Sequence, residues 1–277
     1  MADWRPNLNC RDREYPLIMG IVNVTPDSFH PNSRVIDPTL AVERALIMEK
    51  EGATWIDVGG ESTRPGAMEL SEKEEMERLI PVIRGIRSAS PDVLISADTR
   101  KSGVALAAID AGADMINDVS GLGDAKMVDI VVEHELPICV MHMKGIPENM
   151  QKDLDYDDVV EEVKEELSRS SDTLVQAGLD PSMIVVDPGI GFGKSLEQNL
   201  LLLKAGRYLV PDERMSLMWG VSRKSMFKDL LGRKSTEERL SGTLGIAAMA
   251  EEKGVDILRV HDVGDHVDFF RAMLSVR

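Results

Sequence analysis

Cysteine is nearly absent: Cys10 and Cys139 are the only two in 277 residues. Two thiols cannot build a disulfide framework, and they suit a reducing compartment. Positive charge is in short supply as well. The net charge of −16 argues against nonspecific nucleic-acid binding and against anchoring on an acidic membrane. It does not exclude a small anionic ligand, since a few cationic groups suffice for a local positive site. No run approaches the roughly 20 consecutive apolar residues that span a bilayer. The opening stretch, MADWRPNLNCRDREYP, carries no apolar signal-peptide core. A cytoplasmic location with no nucleic-acid and no membrane partner is therefore expected.

A nucleotide-binding loop is missing too, although one stretch imitates it. VVDPGIGFGKS, residues 185–195, has an apolar strand, glycines, and Gly-Lys-Ser before a predicted helix. The phosphate-cradling pattern needs a glycine, four residues, then Gly-Lys-Ser/Thr. That first glycine would fall at Pro188, which has no N–H to offer a phosphate. The dinucleotide pattern fails as well, because Lys194 stands where its third glycine belongs. On this reading Lys194 and Ser195 simply begin a helix.

What is present is an alternation. With 43% hydrophobic and 29% charged residues, the chain can bury a sizeable core. Eight apolar runs read as strands: Leu17–Val24, Thr54–Gly60, Val93–Thr99, Met115–Ser120, Pro137–Met143, Met183–Pro188, Ser216–Arg223 and Ile257–Asp262. Several are near-continuous, as parallel strands covered on both faces should be. Helical segments lie between them. Ser71 with Glu74 makes a capping box, Val160, Val163, Leu167 and Leu174 form a stripe, and EGAT, AGAD and AGLDP place glycine at helix exits. Eight strand–helix units in about 250 residues predict a single (β/α)8 TIM barrel. Its expected bounds are residues 17–277, after an N-terminal extension at 1–16.

Barrel enzymes build their sites at the C-terminal ends of the strands. Those ends carry Asn23, Asp57, Asp98, Asn117, His142, Asp187, Ser222-Arg223-Lys224, and Arg259 with His261. Turn chemistry explains one or two such residues, not the set. Asp187 and Asn117 could read the edge of a flat heterocycle, and Asp98 could stabilise a developing cation. Arg259 and His261 alternate along the last strand and form a candidate anion clamp. The start of the helix after Lys224 offers backbone N–H groups to another anion. Met141 is a candidate apolar wall, with core packing as the equal alternative. HDVGDH (261–266) looks like a metal cluster, but Asp265 reads as a helix cap, so Asp265 and His266 should turn away. SEKEEMER reads as an exposed helix face, and His134 as a solvated helix residue.

Together GIVNVTPDSF, DVGGESTRPGA, SADT, INDVSG, MHMKGIPENMQ, DPGIGFGK, SRKSM and RVHDV resemble the dihydropteroate synthases, one motif per strand end and in order. The resemblance implies condensation of 6-hydroxymethyl-7,8-dihydropterin diphosphate with p-aminobenzoate, giving 7,8-dihydropteroate and pyrophosphate. It implies an SN1-like path with Mg²⁺ on the diphosphate, sulfonamides as inhibitors, and a homodimer. Carried onto this chain, the pterin pocket is Asp98, Asn117, Met141, Asp187, Phe192, Lys224 and Arg259. Asp98, Lys224 and Arg259 are the catalytic set. Asn23, Thr63, Arg64, Arg259 and His261 match diphosphate contacts, with Asn23 also on the metal. Phe29, Pro65, Ser222 and Lys224 match the p-aminobenzoate site.

One departure stands out: after Phe29 the first loop runs His30-Pro31-Asn32-Ser33, where the family has Ser-Asp-Gly-Gly. Losing glycines and gaining proline stiffens it. Two other readings compete. A pterin-binding methyltransferase would keep the Asp/Asn readers but has less use for Arg259, His261 and STRPG. A catalytically silent pterin-binding subunit would have lost charged site residues, and none is lost at the positions that match.

Overall fold

The computed structural model describes residues 8, 13–25, 37–63, 66–145, 150 and 154–277. Along the chain run β1 (Leu17–Asn23), α1 (Pro38–Glu51), β2 (Trp55–Gly59), α2 (Glu72–Ala89), β3 (Leu94–Asp98), α3 (Ser102–Ala111), β4 (Met115–Asp118) and α4 (Lys126–Glu133). Then come β5 (Ile138–Met141), α5 (Val159–Gln176), β6 (Ile184–Asp187), α6 (Leu196–Ala205), β7 (Ser216–Trp219), α7 (Met226–Leu231), α8 (Leu240–Ala247), β8 (Ile257–Val260) and α9 (Val263–Leu274). The strands close in order into one parallel barrel, with β8 paired to β1. This is the expected (β/α)8 architecture. Local signals act as read: Ser71 and Glu74 complete their capping box, and Gly52, Gly112 and Gly178 adopt positive φ at helix exits.

Each expected strand overruns the observed one at its C-terminal end. Asp57, Asp98, Asn117, Asp187 and Arg259 stay within the strands near their C-terminal ends, and of the polar residues beyond those ends Ser222 and His261 join them at the mouth. Strand alternation sorts the rest. Outward residues such as Ile18, Ile56, Ile95, Ile116, Ile184 and Leu258 join the core beneath the helices. Inward residues Leu17, Met19, Trp55, Met115, Cys139, Val185, Met218 and Ile257 fill the lower lumen, where Leu8 is buried among them. Tyr15 stacks on Phe270 of α9 with centroids 5.3 Å apart, tying down the segment before β1.

At the N-terminal ends of β4 and β8, two buried aspartates brace the floor. Asp114 accepts from Arg87 at 2.5 Å and from the Ile95 N–H at 2.8 Å. Asp256 pairs with Arg207 and accepts from the Leu217 N–H at 2.8 Å. Two surface expectations change. Glu75, in SEKEEMER, is buried against Lys101 at 2.5 Å, because α2 turns that face onto the β3–α3 junction. His266 is buried with Nδ1 2.7 Å from the Asp262 carbonyl, one helical turn back, rather than at the surface. Asp265 is exposed in the first turn of α9, and the residue at the N-cap is Asp262.

Candidate active site

The mouth is organised around Arg259. Its Nε donates to Asp57 at 2.6 Å and its Nη2 to Asp98 at 2.5 Å, so one guanidinium bridges β2, β3 and β8. Burial works against the Arg259 charge, but the two aspartates outweigh it and hold its pKa above the ordinary arginine value. Burial pushes Asp98 up to about 7, against the pull of Arg259 and with help from Asp57. Asn117 lies in register with Asp98 and donates to Asp57 at 3.3 Å, while its own buried Oδ1 has no partner among the described residues. An orphaned buried acceptor is costly unless a ligand donor meets it.

Asp187 lies across from Met141 in the β5–β6 register. Its Oδ1 accepts the Gly189 N–H at 2.7 Å, and burial raises its pKa despite that bond and the nearby Lys224 charge. Inward glycines leave room beside both carboxylates: a Cβ at Gly59 would meet Asp98 at 3.4 Å, and one at Gly220 would meet Asp187 at 3.4 Å. Lys224 Nζ sits 4.0 Å over the Phe192 ring. Among the described residues it has no hydrogen-bond acceptor, and burial lowers its pKa to about 8, partly offset by Asp187. Two carboxylates, an amide with a spare acceptor, an aromatic wall and an ammonium thus face one polar cleft. That set can read a flat ring with alternating donors and acceptors.

His261 and Ser222 meet at the same rim: the Ser222 hydroxyl accepts the His261 N–H at 3.1 Å and lies 3.0 Å from Nδ1. Burial and then the Arg259 charge lower His261 to about 4, so its ring is neutral near pH 7 and retains one N–H donor. Arg223 turns away, holding Asp262 with two bonds of 2.9 and 2.5 Å. The helix after it, α7, begins only at Met226. Asn23 ends β1 beside Gly59, and Thr63 is half-buried on the β2–α2 loop. Phe29, the loop His30-Pro31-Asn32-Ser33, Arg64 and Pro65 lie outside the described residues.

Three assignments shift. His142 does not join the mouth; with Met141 inward, it points outward to Glu166 on α5, Nε2 to Oε2 at 3.0 Å. Lys194 does more than begin a helix: it is 4% exposed, and its side chain folds back under the loop. Ser195 alone caps α6, through a capping box with Gln198. Asp57, read only as a strand-end polar group, proves to be the common partner of Arg259 and Asn117. Glu61 was also missed. It accepts the Leu70 N–H at 2.7 Å and pairs with Arg100 at 3.1 Å and Lys101 at 3.2 Å, clamping both ends of the β2–α2 loop. The glutamate in ESTRPG was the available signal.

Residues 19–261 match the family described as pterin binding enzyme. The chain is 42% identical over 262 residues to the dihydropteroate synthase of Escherichia coli K12, covering 95% of this chain and 92% of that protein. It is 45% identical over 264 residues to a probable bifunctional folylpolyglutamate synthase/dihydropteroate synthase of Haloferax volcanii, spanning 94% of this chain and 30% of that longer one. The crystal structure of Yersinia pestis dihydropteroate synthase with a sulfonamide drug complex superposes with a TM-score of 0.88 at 39% identity, covering 95% and 94% of the two chains. Matching in both sequence and fold over nearly its whole length, this chain belongs to the pterin binding enzyme family, among the dihydropteroate synthases.

Proposed function

We propose that the mouth joins 6-hydroxymethyl-7,8-dihydropterin diphosphate to p-aminobenzoate, with its residues dividing the work as follows. Asp187 accepts from the amino-pyrimidinone edge and Asn117 meets the ring with its spare Oδ1. Met141 and Phe192 form walls, and Lys224 offers its unpaired ammonium to a ring acceptor. Arg259 faces the departing diphosphate, together with His261, Asn23, Thr63 and Arg64. The methylene C–O bond breaks first, and pyrophosphate keeps the electron pair. Asp98 then stabilises the cation left on the pterin. The arylamine nitrogen closes the C–N bond and releases its proton to water. Phe29, Pro65, Ser222 and Lys224 hold p-aminobenzoate for that step.

Mg²⁺ fits as a companion of the diphosphate. Among the described residues no group of three or more His, Cys, Asp or Glu side chains is placed to hold a metal, whereas Mg²⁺ commonly takes few protein ligands plus phosphate oxygens. Asn23 would supply one amide oxygen. Bound there, the ion would neutralise charge on the leaving group.

The observation that carries this reading is the buried, unpartnered Asn117 Oδ1 beside Asp57. Incubating the protein with Mg²⁺, the dihydropterin diphosphate and labelled p-aminobenzoate tests it: dihydropteroate and pyrophosphate should form in equal amounts. Pyrophosphate alone would leave the p-aminobenzoate half wrong; pterin binding without either product would overturn the synthase assignment. Sulfonamides, as p-aminobenzoate mimics, should compete with the second substrate.

We also read residues 17–277 as one domain after an extension at 1–16. Exposed Leu201, Leu230, Leu231 and Met249 on and beside α6–α8 support a homodimer, which sedimentation at micromolar concentration would show. The buried free thiol of Cys139 supports a cytoplasmic setting. No helix among the described residues is long and apolar enough to cross a membrane.

A further inference from the structure

The stretch that imitates a nucleotide loop contains a lysine that the reaction leaves unused. A lysine near a surface usually extends its ammonium into water. Lys194 instead turns back along its own loop. Its Nζ donates to the carbonyls of Gly189 at 3.0 Å and Phe192 at 2.9 Å. It lies 2.9 Å from His142 Nδ1, with the His142 carbonyl at 3.3 Å. Burying an ammonium is costly unless acceptors surround it, and here they come from the tips of two neighbouring strands.

Those acceptors share one feature: each belongs to the backing of the pterin pocket. The Gly189 N–H orients Asp187. Gly189 has φ +67, and a Cβ there would fall 1.9 Å from the His142 carbonyl, so the β5 and β6 tips approach more closely than any side chain permits. The His142 N–H donates to the Asp187 carbonyl at 3.0 Å. Phe192 carries the ring that Lys224 faces. From the outside, Glu166 on α5 braces the imidazole that Lys194 meets. Asn199 on α6 accepts the Gly191 N–H at 2.7 Å.

We propose that Lys194 is a positioning residue for the pterin, cross-linking the β5 and β6 tips from behind and holding Asp187 and Phe192 at the spacing a flat ring needs. The inference rests on assigning the mouth to a pterin, and it gives Lys194 no contact with substrate. Burial lowers its pKa to about 7 and the Lys224 charge adds to that, with Asp187 and Glu166 opposing. The converging carbonyls favour the charged form against that pull.

Lys194→Met keeps most of the stem and removes the donors. Steady-state kinetics should show KM for the dihydropterin diphosphate raised about tenfold, with KM for p-aminobenzoate changed less than about twofold. Combined with Phe192→Ala, it should add little to the pterin KM of Phe192→Ala alone, because both act through the same wall. An unchanged pterin KM, or fully additive losses, would overturn the proposal. If the variant does not fold, amide exchange on the wild-type protein decides. Residues 187–193 should exchange slowly before any ligand is added; fast exchange that slows only with pterin would mean Lys194 does not hold the loop. Calorimetry of pterin binding to the wild type tests the substrate assignment separately.

Discussion

The barrel has buried aspartates at both ends, and they are treated differently. At the floor, Asp114 and Asp256 each have a private arginine and a backbone N–H. At the mouth, Asp57 and Asp98 share the single guanidinium of Arg259, and neither accepts a backbone N–H within hydrogen-bond reach among the described residues. The floor pairs are complete and serve to fasten strands. Asp57 adds only the Asn117 amide, Asp98 has no other side-chain donor among the described residues, and burial lifts Asp98 to about 7. A fold can carry such a deficit where a ligand will make up the difference.

That contrast can be broken most sharply at Asp98. Asp98→Asn keeps the shape but removes the charge, and kcat should fall by about 10²–10³ while pterin affinity changes far less. Loss of binding with turnover intact would refute the cation-stabilising role. The pH profile comes next. In its proposed role Asp98 acts as the ionised carboxylate, so kcat/KM should drop about tenfold per unit as pH falls below about 7. It should fall again above about 8 as Lys224 loses its proton. The acid limb should vanish in Asp98→Asn; its persistence would assign it elsewhere. The same shift carries the opposite sign for stability. The folded-state pKa is raised from 3.8, so this contribution is full below about pH 4 and is lost as pH rises through about 7.

The rim offers a smaller effect. Replacing His30-Pro31-Asn32-Ser33 with the glycine-containing family loop should change KM for p-aminobenzoate by about threefold, through backbone freedom alone. An unchanged KM would remove the reason to single out that loop. At the floor, Asp114→Ala strips the Ile95 N–H of its acceptor and should cost about 1–3 kcal/mol of stability. Turnover per folded molecule should hold, as denaturant melts beside initial rates would show; a large loss of kcat would erase the distinction between the two ends.

The fold was legible because its signals are local. Apolar strand runs, the Ser71–Glu74 box and the glycines at helix exits each act within a few residues. The mouth was legible because strand ends are where polar groups otherwise have little reason to gather. What escaped depends on partners far along the chain. Lys194 is explained by His142, fifty-two positions away, and Glu75 by Lys101, twenty-six away. His142 looked like a site residue until the facing of Met141 set its direction. Asp57 looked like any strand-end aspartate until Arg259 and Asn117 met on it.

Leu8 and the ring of side chains above it have a further consequence. They stopper the lower lumen, so the barrel is a cup and not a tube. Traffic therefore shares one rim: both substrates arrive by it, and pyrophosphate and the joined product leave by it. Whatever lies deepest must enter before, and depart after, anything seated above it.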